Sequence, residues 1–177
     1  MKKTAVMMAL ILIAAVGCKQ QRQEPKGQAA YPGGAVMMKS PDEIHQLEQF
    51  ANQAPKNVDT WIALGNALMD SHRYGEAVNA YQKALELNPR NVDVRVDMGT
   101  CLKNSGNPQK AIEEYKKALK INPNHVNAHR NMGVVLAFDL HDKKGAAREF
   151  EKYLELSPHA PDAGDIRQLV QELKSGK

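Results

Sequence analysis

From residue 41 onward, apolar side chains recur at spacings of three and four along almost the whole chain, the signature of amphipathic helices that bury one face. Ile44, Leu47 and Phe50/Ala51 form the first stripe, which stops at Pro55. From Val58 a longer period is superimposed. The phrase "YQKALELNPRN" (Tyr81 to Asn91) returns as "YKKALKINPNH" (Tyr115 to His125), an offset of 34 residues. A period of about 20 to 50 residues marks a stack of units, each of which buries its apolar face only against a neighbour. The pattern predicts an all-α chain of eight helices: a lead-in, three pairs and a closing helix. The last is "DAGDIRQLVQELK", where Ile166, Leu169, Val170 and Leu173 share a face.

Small residues recur in step with the period. Gly65, Gly99 and Gly133 let a paired helix approach closely, and Ala77/Ala84 and Ala111/Ala118 stand where larger side chains would overpack. Pro89, Pro123 and Pro158 end each second helix. Pro55 lies 34 residues before Pro89, so the lead-in helix is in register as the second half of an incomplete repeat. Phe50 then takes the place of Ala84, and Tyr153 takes it at the other end; bulky residues there suit terminal units with fewer neighbours. In the third copy Leu136 and Ala146 are ten residues apart, against nine for Leu68 and Ala77, which puts an added residue in the turn "LHDKKG".

Trp61, Leu64, Gly65, Leu68, Ala77, Tyr81, Ala84 and Pro89 together resemble the tetratricopeptide repeat. The second copy keeps Met98, Gly99, Leu102, Ala111, Tyr115, Ala118 and Pro123, with Arg95 in the tryptophan place; the third has His129 there. The resemblance implies a right-handed superhelix of antiparallel helix pairs. Its parts are a lead-in half-repeat (40–57), three repeats (58–91, 92–125 and 126–160) and a capping helix (161–177). It also implies a concave groove lined by the first helices, with Asn66, Asp70, Thr100, Asn104, Asn127 and Arg130 facing a protein or peptide ligand. Chaperone-tail binders of this family clamp a terminal carboxylate with lysine and arginine. Ile62, Val96 and Asn131 stand at or near those places, so that activity is not expected. The stretch "IHQLEQFANQAPKNVDTWIALG" (Ile44 to Gly65) is also similar to the repeat domain of cytochrome c maturation factors.

The N-terminus has a different character. Lys2 and Lys3 precede twelve apolar or small residues, Ala5 to Val16, the layout of a secretory signal. Such a stretch reaches about 18 Å as a helix, short of the roughly 30 Å hydrocarbon core. "AVGC" (Ala15 to Cys18) resembles the lipobox of bacterial lipoproteins, which implies cleavage of residues 1–17 and lipidation of Cys18. Two or more acyl chains give stable attachment. With Lys19 next, the resemblance implies the periplasmic face of the outer membrane; the other reading is an ordinary thiol beyond a soluble signal. Residues 18–39, rich in Gln, Pro and Gly, read as a spacer reaching roughly 25 Å.

Charge and chemistry narrow the function. Without residues 1–17 the chain keeps 22 basic and 20 acidic groups, a balance that does not suggest nucleic acid. If Cys18 is lipidated, Cys101 has no disulfide partner, and its place beside Gly99 and Leu102 suits a small hydrophobe. The sequence holds no CxxC, GxSxG, HExxH or P-loop motif. His125 and His129, four apart, are the remaining metal candidates, but two ligands without a third do not make a site. The expectation is a non-catalytic, lipid-anchored adaptor with no metal or cofactor, and the resemblance implies a role in envelope assembly, secretion or cytochrome c maturation. Self-assembly through Met37 and Met38 or an uncapped end is the alternative, and a metal or thiol site the more distant one.

Overall fold

The computed structural model describes residues 41–175; the signal, Cys18, the spacer with Met37 and Met38, Ser40 and the last two residues lie outside the described residues. The described chain is helical: α1 (Pro41–Gln53), α2 (Val58–Asp70), α3 (Tyr74–Leu87), α4 (Val92–Asn104), α5 (Pro108–Ile121), α6 (Val126–Val134), α7 (Lys143–Leu156) and α8 (Ala163–Ser175), with a π-helical turn, Val135–Asp139, continuing α6. Each helix packs against the one before and the one after, so the pairs α2/α3, α4/α5 and α6/α7 stack in chain order.

Local chemistry sets the ends. Two residues after each proline, a side chain caps the next helix: Asn57 Oδ1 accepts from the Asp59 amide at 3.0 Å, Asn91 Oδ1 from Val94 at 3.1 Å, and His125 Nδ1 from Ala128 at 3.1 Å. At the turn inside each pair the backbone goes left-handed, at His72 (φ 59°), Gly106 (φ 82°) and His141 (φ 57°).

The glycines act as expected. A Cβ on Gly65 would sit 2.5 Å from the Tyr81 ring, one on Gly99 2.5 Å from Tyr115, and one on Gly133 2.7 Å from Phe150. Each of these three rings therefore lies against the first helix where a side chain is missing, and Tyr81, Tyr115 and Phe150 are at most 1% exposed. Burying a ring of this size is worth about 1.5–3 kcal/mol. Ala77, Ala84, Ala111, Ala118 and Ala146 complete the contact, none more than 1% exposed.

Three details differ from the sequence expectation. The added residue of the third copy lies in the helix, not in the following turn: the Leu140 amide bonds to the Val135 carbonyl at 3.0 Å, an i to i+5 pattern. From His141 onward the offset is already 35 residues, as His141 repeats the left-handed place of Gly106. A π turn absorbs one extra residue without breaking the hydrogen-bond ladder. The second difference is at the start. Phe50 has the backbone place of Ala84, since Ala54 bonds to its carbonyl as Asn88 does to that of Ala84. Its ring is 52% exposed, however, while the next residue, Ala51, in the place of the buried Leu85, is fully buried. At the other end Tyr153 is buried too, 3% exposed, in the core cluster that includes Ile166 and Val170 of α8.

The buried side chains form two clusters. One gathers Ile44, Leu64, Leu68, Tyr81, Leu85 and their neighbours; the other gathers Tyr115, Val135, Phe150, Tyr153, Ile166 and theirs. Helix α4 divides between them, giving Val94, Met98 and Cys101 to the first and Val96 to the second, while Leu102 packs on both.

Candidate partner-binding groove

The first helices are fixed from behind by a repeated bond. Trp61 Nε1 donates to the Pro55 carbonyl at 3.0 Å, Arg95 Nη2 to that of Pro89 at 2.8 Å, and His129 Nε2 to that of Pro123 at 2.9 Å. In α8, Arg167 donates to the Pro158 carbonyl at 2.6 Å. Three different side chains thus perform one task, tying each helix to the end of the previous pair. Arg95 also donates to Glu114 at 2.7 Å, within a pair that is largely buried.

These bonds settle the histidines. His125 caps α6 with one ring nitrogen and faces Asp93 Oδ1 at 2.9 Å with the other. His129 is held between Pro123 and Glu149. All four ring nitrogens have protein partners, and no group of three or more potential ligands gathers for a metal among the described residues. Cys101 is fully buried, and burial, aided by Asp97, pushes its thiol up to about 12, so its reactive thiolate is suppressed.

On the front of the first helices, two of the six candidate groove residues receive tyrosine hydroxyls. Tyr81 donates to Asn66 Oδ1 at 2.7 Å, and the Tyr115 and Thr100 hydroxyls are 3.2 Å apart. In the third repeat the same two places hold Phe150 and Val134, so the polar pair is replaced by an apolar one. Burial raises both tyrosine phenols, that of Tyr115 to about 12, so they stay protonated.

Thr100, Asn104 and Arg130 come together around a cavity of about 120 Å³ between α4 and α6. Lys103 and Asn131 join them, with Tyr115, Val134 and Val135 forming the floor and wall. Asn66, Asp70 and Asn127 do not line it; Asn66 and Asn127 are exposed and Asp70 is half-buried. Lys103 was legible from its spacing, one helical turn from Thr100 on the same helix. Asn131 donates to Thr100 Oγ1 at 3.3 Å, a link between repeats that one repeat read alone does not reveal.

The cavity's arginine is held from outside the groove. Arg130 Nε donates to Asp162 Oδ2 at 2.6 Å, and the Tyr153 hydroxyl donates to the other oxygen of the same carboxylate. The Tyr153 bond first, and the guanidinium after it, hold the Asp162 carboxyl below its usual range. Further along α4, Asp97 is the opposite case. Burial, with Asp93 adding repulsion and His125 opposing, pushes its carboxyl up to about 6.

No helix among the described residues is long and apolar enough to cross a membrane. No curated protein matches the chain. Among solved structures, a MamA protein superposes with a TM-score of 0.69 at 22% identity, over 76% of this chain and 73% of that one, a likeness of fold. A second MamA structure, MSR-1 C2, gives 0.61 at 29% identity over 67% and 68%. The Sgt2 TPR domain from Aspergillus fumigatus gives 0.60 at 28% over 67% and 78%. The stack is accordingly a tetratricopeptide superhelix, a fold whose families are protein-interaction modules. The family model for the cytochrome c-type biogenesis protein H TPR domain matches residues 46–163, more than half of the chain, and the chain belongs to that family.

Proposed function

We propose that this protein is a non-catalytic adaptor, lipid-anchored through Cys18 in the bacterial envelope on the periplasmic face of the outer membrane, that holds a partner protein in the groove of its first helices. The observation that carries the reading is the division of labour along those helices. Their backs are committed to proline carbonyls and glutamates, while their fronts keep Asp70, Lys103, Asn104 and Asn127 outside every ion pair and side-chain bond described between helices. Short polar groups in a row suit an extended segment or a helix laid along the groove. The family match favours the cytochrome c maturation apparatus as the client.

The test is crosslinked capture from envelopes by the full-length chain, followed by mass spectrometry. A specific envelope protein that is lost from Asn104→Ala/Asn127→Ala, and reduced when Cys18→Ser releases the anchor, establishes the adaptor. Recovery of the chain alone favours self-assembly and removes the adaptor reading.

A further inference from the structure

The cavity between α4 and α6 has a charge that the rest of the groove does not share. Its lining holds two cations, Lys103 and Arg130, two amides, Asn104 and Asn131, and no acid. Lys103 forms no ion pair among the described residues. At about 120 Å³ the cavity is well below the roughly 300–1,000 Å³ of small-molecule sites, and it suits one side chain of a larger ligand. Val134 and Val135 supply an apolar shoulder, and Phe138, in the turn that follows, is 61% exposed.

Resting on the adaptor reading, we propose that this cavity receives an acidic side chain of the partner, with an apolar residue beside it seated toward Val134 and Phe138. Lys103 contributes a point charge. Arg130 contributes guanidinium N–H groups beyond the Nε–H already given to Asp162, since a guanidinium carries five. Asn104 and Asn131 offer amide donors around the same carboxylate. Of the nearby acids, Asp97 and Asp139 weigh on Tyr115 but do not line the cavity.

Asp162 is a positioning residue for this site. It lies in the linker ahead of α8, where its carbonyl accepts from the Ile166 amide, and its carboxylate fixes Arg130 while Tyr153 fixes that carboxylate. The capping helix and the groove are thereby joined through one guanidinium. A bond between Arg130 and a ligand carboxylate works best when the planar fork is already held in orientation.

The probe is a fluorescent peptide of alternating glutamate and leucine flanked by Gly-Ser, acetylated and amidated so that it has no terminal charges, bound to the full-length chain and followed by anisotropy. The glutamine version is the neutral control. The expected result is at least about tenfold tighter binding of the glutamate peptide, with that preference lost in Lys103→Ala and in Arg130→Gln. Asp162→Asn is expected to shrink the preference several-fold, with recovery in Asp162→Glu, whereas a merely structural role would weaken both peptides alike. Equal binding of the two peptides, or a preference that survives both cation substitutions, overturns the acidic site and leaves the adaptor reading intact. Failure of both peptides to bind overturns the acidic site as well, and envelope capture then decides the adaptor reading separately.

Discussion

Glu149 Oε2 meets His129 Nδ1 at 2.7 Å, and the corresponding place in the first repeat is held by Ala80, 3% exposed, where the anchoring side chain is Trp61. The second repeat pairs Arg95 with Glu114 in the same way. The anchor and the residue behind it therefore change together: a neutral indole goes with alanine, a basic side chain with glutamate. Removing one partner of such a pair leaves the other without its hydrogen bond.

This relationship predicts the outcome of a transplant. Glu149→Ala and His129→Trp are each expected to destabilise the domain by about 1–3 kcal/mol, by lost hydrogen bonding in one case and a half-buried unpaired carboxylate in the other. The double variant should recover at least about 1 kcal/mol of the summed loss in a double-mutant cycle read by urea denaturation. Additive losses would mean that the two positions are independent.

The close approach of helices within a pair gives a second expectation. Gly99→Ala would place a methyl 2.5 Å from the Tyr115 ring, so the ring must shift, at a cost of about 1–3 kcal/mol. Gly75→Ala meets nothing within 4 Å and should be neutral or stabilising by up to about 1 kcal/mol. Thermal melts of the two variants, side by side, test this; an equal effect would contradict the ring-on-glycine packing.

Asp97 predicts a pH dependence. An aspartate in an unfolded chain titrates near about 3.9, whereas burial raises Asp97 to about 6 in the fold. Between about pH 4 and pH 6 the native state keeps a proton that the unfolded state has lost, so this group's contribution makes stability fall as pH rises through that window. Above it the ionised carboxylate costs on the order of 1–2 kcal/mol, allowing for its remaining solvent contact. Asp97→Asn is expected to gain that amount at pH 7.5 and little at pH 4. Urea midpoints at the two pH values check it, and an equal gain at both would remove the titration as the cause.

The π turn makes a local prediction. Amides of Val135–Leu140 should exchange with solvent about tenfold faster than those at the end of α4, because longer-loop bonds are weaker and Phe138 is 61% exposed beside them. Deleting Phe138 restores the spacing of the earlier repeats and should slow this exchange. Unchanged protection in the deletion variant would show that the extra residue is not its cause.

The periodic part of this architecture was legible because its physics is local and repeated: a missing Cβ at Gly65, Gly99 and Gly133, and a proline at each helix end. Where a position lacks its usual neighbours, the period misleads. Phe50 has the backbone place of Ala84, yet its ring is exposed while Ala51 beside it is buried. Counting ten residues between Leu136 and Ala146 revealed an insertion but not its address, since a π turn and a longer loop cost the same in sequence. The cavity was half visible: Thr100, Asn104 and Arg130 were implied by the resemblance to the repeat family, while the contribution of Asn131 depends on how one repeat leans on the next.

The division of α4 between the two apolar clusters has a consequence for how the molecule comes apart. A stack with nearest-neighbour contacts alone unzips from its ends, shedding one pair at a time. Here the middle helix is a party wall. Loss of either half strips a face of α4, and loss of the second half also removes α6 and with it the cavity while the first half still stands. On the proposed reading, a partner seated between α4 and α6 braces the stack as well as riding on it.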